Sequence, residues 1–177
     1  MLEKLHNQTN ELKGAVGFDE CLNSEVVQYI RCCVGLQDLL IRIDSIVQVS
    51  GAGRITTFPG NHQYLRGLIV TRGDEVTPVV NLAEILGLTS QKTADHQCCL
   101  VVAIGDERFG LLVDSVEGLL PIEATLVEHS HNDLFGGGVS VVSGVFKDSE
   151  SVFPIIDVKA IFQMVFSGEN RYEHTAH

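Results

Sequence analysis

The sequence predicts a mostly β protein built from small closed barrels. Short apolar segments rich in β-branched residues recur along the chain, separated by turn-forming residues about every eight to twelve positions. No helix of crossover length separates these segments, which disfavours a parallel sheet. The 177 residues suffice for one domain, or two closely fused small ones, whose core needs neither disulfides nor metal.

The first half of the chain begins with a predicted hairpin. Residues 26–34 and 39–43 are mostly apolar, and a turn at 35–38 joins them. A short apolar segment, 44–49, follows. The preceding residues, 1–25, are polar with irregularly spaced apolar positions, so they are expected to form an N-terminal extension.

The stretch 59–88 (PGNHQYLRGLIVTRGDEVTPVVNLAEILGL) combines turn, strand and helix signals. It predicts strands at 65–71 and 76–80 around the turn 72–75. Pro78 cannot donate to a strand ladder and is therefore expected at a sheet edge or bulge. Asn81 is placed to cap a helix at 82–86, and Gly87 to end it.

The second half repeats this arrangement after a polar connector at 89–96. An apolar-apolar-(Asn/Asp) step into a helix occurs at Val80-Asn81-Leu82 and again at Ile156-Asp157-Val158, which indicates an internal duplication. The predicted elements of this half are strands at 98–104, 109–116, 139–146 and 152–156, a strand or bend at 117–127, and a helix at 158–166. Residues 167–177 form a polar tail.

Composition and charge exclude several classes of function. The net charge of −11 disfavours nonspecific binding to nucleic acid or anionic membranes. No apolar run reaches the 18 residues of a membrane helix, and the first ten residues are too polar for a signal peptide. A cytoplasmic protein without direct membrane insertion is expected.

Catalytic and metal-binding motifs are not supported. His96 with Cys98 and Cys99, and His129 with His131, lack metal-site spacing. Ser140 and Ser143 lack a strand-to-helix nucleophile elbow, and the glycine triplet 136–138 lacks the lysine of a phosphate-binding loop. In each of the adjacent pairs, Cys32-Cys33 and Cys98-Cys99, the two side chains point to opposite faces of a strand. Free, partly buried thiols are therefore expected. We expect no enzyme activity, no metal and no cofactor.

The central stretch resembles the CheW family, the adaptor domain of bacterial chemosensory arrays. The family pattern has a Pro-Gly turn, an aromatic, a glycine, an Arg-Gly pair, and a proline before an apolar-apolar-Asp-Leu step. The matching residues are Pro59, Gly60, Tyr64, Gly67, Arg72, Gly73, Pro78 and Leu82. Further matches are Tyr29, Gly35, Ile41, Ile43, Ile46 and Val49, the strand 111–116, and Ser143-Gly144-Val145.

This sequence departs from the family pattern at several positions. Asn81 stands where aspartate is usual, and the hairpin between Arg72 and Pro78 is one residue longer. Leu39 replaces a frequent aromatic, and Gln48 a common acidic residue.

The resemblance implies two five-stranded SH3-like β-barrel subdomains around a shared core, intertwined within residues 26–166, with short helices. It also implies a non-catalytic chemotaxis adaptor that couples a chemoreceptor's cytoplasmic tip to the regulatory domain of a CheA-type histidine kinase at membrane-associated receptor arrays. The receptor-binding groove would comprise Ile46, Gln48, Gly67 and Arg72, and Asp114 would contact the kinase or the neighbouring subdomain.

Two alternatives remain open at this point. One is an accessory CheW-like scaffold for a pilus, surface-sensing or polar-localisation pathway, in which the extension 1–25 supplies a docking element. The other is a redox sensor that uses Cys32, Cys33, Cys98 or Cys99; thiol reactivity distinguishes it from an adaptor.

Overall fold

The structure, a computed structural model, describes residues 24–53, 55–57, 59–60, 62–129 and 140–167. The predicted extension and tail fall almost entirely outside these residues. The strands are β1 (Val26–Val34), β2 (Gln37–Arg42), β3 (Ile46–Gly51), β4 (Leu65–Val70), β5 (Val76–Asn81), β6 (Cys98–Ile104), β7 (Glu107–Val113), β8 (Ser115–Glu123), β9 (Val127–Glu128), β10 (Val142–Lys147) and β11 (Val152–Ile156). The α-helices are α1 (Leu82–Leu86) and α2 (Val158–Phe166), and single 3₁₀ turns lie at Ile43–Ser45, Ala94–His96 and Ala124–Leu126.

The strands form two sheets, which confirms the mostly β prediction. The first sheet has the order β8-β1-β2-β11-β10-β9 and the second β3-β6-β7-β5-β4. The first therefore has six strands where five were expected. The additional strand is the two-residue β9, which follows the 3₁₀ turn Ala124–Leu126 and pairs with β10.

The two halves of the chain exchange hairpins. The β1–β2 hairpin of the first half joins the strands of the second half through a parallel contact, Leu40 opposite Ile155. The β6–β7 hairpin of the second half joins the first through a parallel pairing of β5 with β7, with Val80 opposite Leu111. Each sheet thus contains strands from both halves of the chain.

Both helices begin and end where the sequence places them. Asn81 Oδ1 accepts a 3.2 Å hydrogen bond from the Ala83 N–H, and Gly87 ends α1 in the left-handed conformation with φ of 66°. Asp157 Oδ1 caps α2 by accepting a 3.1 Å bond from the Ala160 N–H.

Pro78 does not lie at a sheet edge, the first of its two predicted positions; an irregularity of the β4–β5 ladder lies one position away, opposite Val79 and Val80. Pro78 belongs to β5, an inner strand flanked by β7 and β4. The sheet tolerates the proline because the β5–β7 pairing begins only at Val79, so no ladder bond on that side requires a Pro78 N–H.

The largest apolar cluster lies between the sheets. It unites β1 and β2 with β5, β6, β7 and both helices, and its members include Leu39, Ile41, Leu100, Phe109 and Ile161, all fully buried. Smaller clusters lie within each sheet, around Leu40 and Phe153 in the first and around Val79 and Leu112 in the second. The core is therefore shared between the two halves.

Candidate functional site

One row of paired residues crosses the whole second sheet and ends at two of the predicted groove residues. Gln48 of β3 lies opposite Val101, Val101 opposite Gly110, Gly110 opposite Val79, and Val79 opposite Gly67 of β4. Gln48 and Gly67 are thus at the same level of the sheet, on its two outer strands.

Gly67 is buried against the chain's own backbone. A Cβ atom at this position would lie 2.3 Å from the Thr56 carbonyl oxygen and 2.7 Å from Ile55 Cγ2. Thr56 also exchanges two 2.8 Å backbone hydrogen bonds with Leu68. The chain's own residues 55–56 make the close approach that Gly67 allows, so the space beside Gly67 is already occupied.

Ile46 lies between the core and the surface. It begins β3 opposite Val102, is partly buried, and packs against the shared core. The neighbouring valines of β3, Val47 and Val49, are exposed, at 52% and 45%. Ile46 therefore supports the core while bordering accessible surface.

Arg72 is exposed at the tip of the β4–β5 hairpin. Thr71 closes this tip, because its N–H and its hydroxyl both donate to the Glu75 carbonyl oxygen, at 2.9 and 3.1 Å. Glu75 Oε2 in turn forms a 2.7 Å ion pair with Arg108 Nη1, at the start of β7. Among the described residues, Arg72 itself has no hydrogen-bonding or ionic partner.

A cleft of about 500 Å³ lies where the two sheets meet α2. It is lined by Tyr29, Arg42 and Ile155 of the first sheet, Ala103 and Ile104 of the second, and Val158 and Lys159 of the helix. Arg42 forms a two-pronged ion pair with Asp44, at 2.7 and 3.2 Å, and the hydrogen bond from Arg42 lowers the pKa of Asp44 below its ordinary value. The cleft thus combines apolar walls with a polar rim.

The cleft and Arg72 lie at the same end of the second sheet. Ile104 of the cleft precedes the β6–β7 turn, and Arg108 follows that turn and pairs with Glu75 beside Arg72. Ser45, another cleft residue, directly precedes Ile46. The structure therefore brings Ile46 and Arg72 to one end of the protein, with the cleft and the β6–β7 turn at the same end.

Asp114 is buried at 3% exposure and joins both sheets to the connector between the halves. Its carboxylate accepts 2.8 Å bonds from the N–H groups of Gly35 and Gln91, a 3.1 Å bond from Gln97 Nε2, and a bond from the Ser90 hydroxyl. Burial alone raises the pKa of Asp114, but these four hydrogen bonds together lower it below its ordinary value. Of the two expected roles, this geometry favours the contact between subdomains.

The profile of the CheW-like domain matches residues 28–166. The chain belongs to the CheW-like domain family. Among proteins of known function, it is 29% identical over 130 residues to the chemotaxis protein CheW of Thermotoga maritima, covering 73% of this chain and 83% of that protein. It is 25% identical over 144 residues to the chemotaxis protein CheW of Helicobacter pylori, covering 81% and 86%.

The CheW-like fold is also found in a solved structure. The scaffolding protein TtCheW from Thermoanaerobacter tengcongensis superposes with a TM-score of 0.66 at 20% identity, over 76% of this chain and 86% of that one. At this identity the superposition establishes the fold.

Three cysteines of this CheW-like domain, Cys32, Cys33 and Cys99, are poorly placed for redox chemistry. Cys32 and Cys99 are fully buried, and burial raises the pKa of each thiol to about 12. Burial, together with nearby carboxylates, also raises the pKa of the partly exposed Cys33. Because the thiolate is the reactive form, these shifts oppose the redox-sensor alternative.

No group of three or more His, Cys, Asp or Glu within the described ranges is arranged to hold a metal ion. The second histidine of the pair His129 and His131, and the glycine triplet 136–138, lie outside the described residues. None of the described helices is long and apolar enough to cross a membrane.

Sequence reasoning missed the cleft, because its walls come from segments far apart in the chain. Tyr29 and Ile155 meet Ala103 and Ile104 only after the halves exchange hairpins. Each of these residues alone is typical of a strand, so no local signal marks them.

Proposed function

We propose that this protein is a non-catalytic chemotaxis adaptor that couples chemoreceptors to a CheA-type histidine kinase. The observation that carries the proposal is the match to the CheW-like domain over residues 28–166, which includes both sheets and α2. The relatives from Thermotoga maritima and Helicobacter pylori, both named chemotaxis protein CheW, point to the same process. The adaptor would act in the cytoplasm, at membrane-associated receptor arrays.

The receptor would dock at the end of the protein that carries the cleft. Ile104 and Val158 offer apolar contact to a helical hairpin, and Ile46 extends this surface beside the cleft. Arg72 adds an exposed guanidinium whose fork suits a carboxylate on the receptor helix. Gln48 and Gly67 would contribute by shaping the sheet beneath this surface, since Gly67 is itself covered by residues 55–56.

The kinase would bind exposed valines of the second sheet. Val70 and Val76 lie opposite each other at the hairpin end, 67% and 59% exposed, and Val47 and Val49 lie on the outer strand β3. Apolar side chains in exposed pairs are suited to packing against a second barrel, and the regulatory domain of such a kinase is itself a barrel module in this family. The adaptor would act by fixing the relative placement of receptor and kinase.

Co-sedimentation with receptor-containing membranes and the kinase of the same bacterium tests this function. We expect wild-type protein to join both partners and to increase kinase autophosphorylation. Arg72→Asp should lose the receptor while retaining the kinase, because it replaces the guanidinium with a repelling carboxylate. Arg66→Asp, a change of the same charge at an exposed position of β4, is the matched control and should behave as wild type.

The two outcomes separate the parts of the proposal. A wild-type protein that binds neither partner contradicts the adaptor function. Equal binding by wild type and Arg72→Asp retains the adaptor but removes Arg72 from the receptor surface.

A further inference from the structure

The tip of the β4–β5 hairpin carries a cation and two carboxylates in four residues. Arg72, Asp74 and Glu75 are all exposed, and the tip turns through Gly73 and Asp74, which have φ of 91° and 60°. The Thr71 N–H donates a 2.9 Å hydrogen bond to the Glu75 carbonyl oxygen, so Glu75 lies across the tip from the residue that precedes Arg72. The side chains of Arg72 and Glu75 are therefore within reach of each other.

Glu75 nevertheless pairs with a different arginine. Its Oε2 atom lies 2.7 Å from Arg108 Nη1, across the gap between the hairpin tip and the start of β7. The two side chains are 45% and 46% exposed, so solvent screens the ion pair and its net strength is modest. Two arginines thus compete for one carboxylate, and Arg108 holds it.

We propose that Arg108 is a positioning residue for Arg72, a role that rests on the proposed function of Arg72 in binding the receptor. By holding Glu75, Arg108 prevents an internal carboxylate from occupying the guanidinium fork of Arg72. The fork stays open to a carboxylate of the partner, which it binds through two parallel N–H···O contacts. Arg108 itself does not touch the partner.

The longer hairpin gives this arrangement its significance. The tip carries one residue more than the CheW family pattern between Arg72 and Pro78, and Glu75 lies in this lengthened segment. A carboxylate free to pair with a recognition arginine would occupy its guanidinium fork. The pairing of Glu75 with Arg108 removes that conflict and makes receptor binding depend on a residue 36 positions along the chain from Arg72.

The first test uses the isolated protein and needs no partner. Phenylglyoxal modification of Arg72 is followed by peptide mass spectrometry in wild type, Arg108→Gln, Glu75→Gln and the double variant. We expect Arg108→Gln to slow modification of Arg72 several-fold, because Glu75 then shields it, and the double variant to recover the wild-type rate. Arg66, on β4, is the internal control and should react equally in all four proteins.

The second test measures affinity for the cytoplasmic helical-hairpin fragment of a receptor from the same bacterium. Arg108→Gln should weaken binding roughly two- to five-fold, the range expected for one exposed ion pair. Glu75→Gln combined with Arg108→Gln should restore the wild-type affinity. A purely structural role for Arg108 predicts no such rescue, since the double variant still lacks the Glu75–Arg108 contact.

The outcomes distinguish the two proposals. An unchanged Arg72 modification rate in Arg108→Gln, or a double variant that remains impaired, overturns the positioning role. Absence of receptor binding by wild-type protein overturns the adaptor function, whereas the modification rates still report whether Arg108 keeps Glu75 away from Arg72.

Discussion

The carboxylate of Asp114 accepts a 2.8 Å hydrogen bond from the backbone N–H of Gly35, which lies 79 residues earlier in the chain. Gly35 turns the β1–β2 hairpin of the first sheet, whereas Asp114 follows β7 of the second. A Cβ atom at Gly35 would lie 2.6 Å from the Thr89 carbonyl oxygen, so the connector between the halves packs against the same point. This contact fastens the two sheets together.

Asp114→Ala is expected to lower the free energy of unfolding by about 1–3 kcal/mol, because it leaves buried donors such as the Gly35 and Gln91 N–H groups unpaired. Urea denaturation at pH 7 measures the loss. Asp114→Asn, of the same size but uncharged, should lower the free energy of unfolding by less than Asp114→Ala does. A variant as stable as wild type would show that water replaces the carboxylate.

The Asp114 carboxylate also makes the free energy of unfolding depend on pH in a defined direction. The pKa of Asp114 is lowered on folding, so its stabilising contribution is fully present above its unfolded value of 3.8 and is lost as the pH falls through the folded value. The difference in unfolding free energy between wild type and Asp114→Asn should therefore be constant from pH 7 to about pH 5 and shrink below about pH 4. A difference that grows on acidification contradicts this assignment.

Gly67→Ala should destabilise the protein by about 1–3 kcal/mol, because its Cβ would meet the Thr56 carbonyl oxygen at 2.3 Å. Gly51→Ala is the control, since a Cβ there meets no atom within 4 Å. Chemical denaturation compares the two. If Gly67→Ala keeps wild-type stability while losing receptor binding, Gly67 acts in recognition and not in packing.

Asn81→Asp, which restores the residue usual in the CheW family, should not stabilise α1 by itself. Asn81 Nδ2 donates a 3.1 Å hydrogen bond to Glu84 Oε1, and aspartate would replace this bond with repulsion between carboxylates. The double variant Asn81→Asp, Glu84→Gln should be at least as stable as wild type, since a capping carboxylate favours a helix N-terminus. Thermal or urea unfolding at low salt measures the stability of wild type, the single variant and the double variant.

Thiol labelling tests the redox alternative. In a Cys21→Ser background, Cys32 and Cys99 should resist iodoacetamide at pH 8 until the protein unfolds, because both are fully buried and the pKa of each is raised to about 12. Mass spectrometry of the labelled peptides measures each site. Labelling of Cys32 or Cys99 in the folded protein at the rate of a free thiol would revive the sensor hypothesis.

Local signals in the sequence predicted the elements well. The β-branched run at 26–34 and the Asp157 cap of helix 158–166 correspond to β1 and α2, because strand propensity and capping depend on neighbouring residues. The turn after Gly35 was predicted two residues too long, because Gln37 and Asp38 are polar yet pair with Val34 and Cys33 of β1.

Features that depend on tertiary contacts could not be predicted from local sequence signals. The inner position of Pro78 depends on where β7 begins to pair with β5. The occupation of the space beside Gly67 depends on the path of residues 55–57. Of the candidate site, Arg72 lies in the turn that the sequence predicted at 72–75, whereas the cleft and the Glu75–Arg108 ion pair arise from tertiary contacts.

The exchange of hairpins also constrains how the chain folds. Leu40 must find Ile155, 115 residues away, before the first sheet is continuous, and Val80 must find Leu111 before the second is. Such nonlocal pairings raise the contact order and slow folding relative to two independent barrels. Each fragment produced by a cut within the connector would contain a hairpin without its partner strands and an incomplete sheet, so we expect the two sheets to fold together as one kinetic unit.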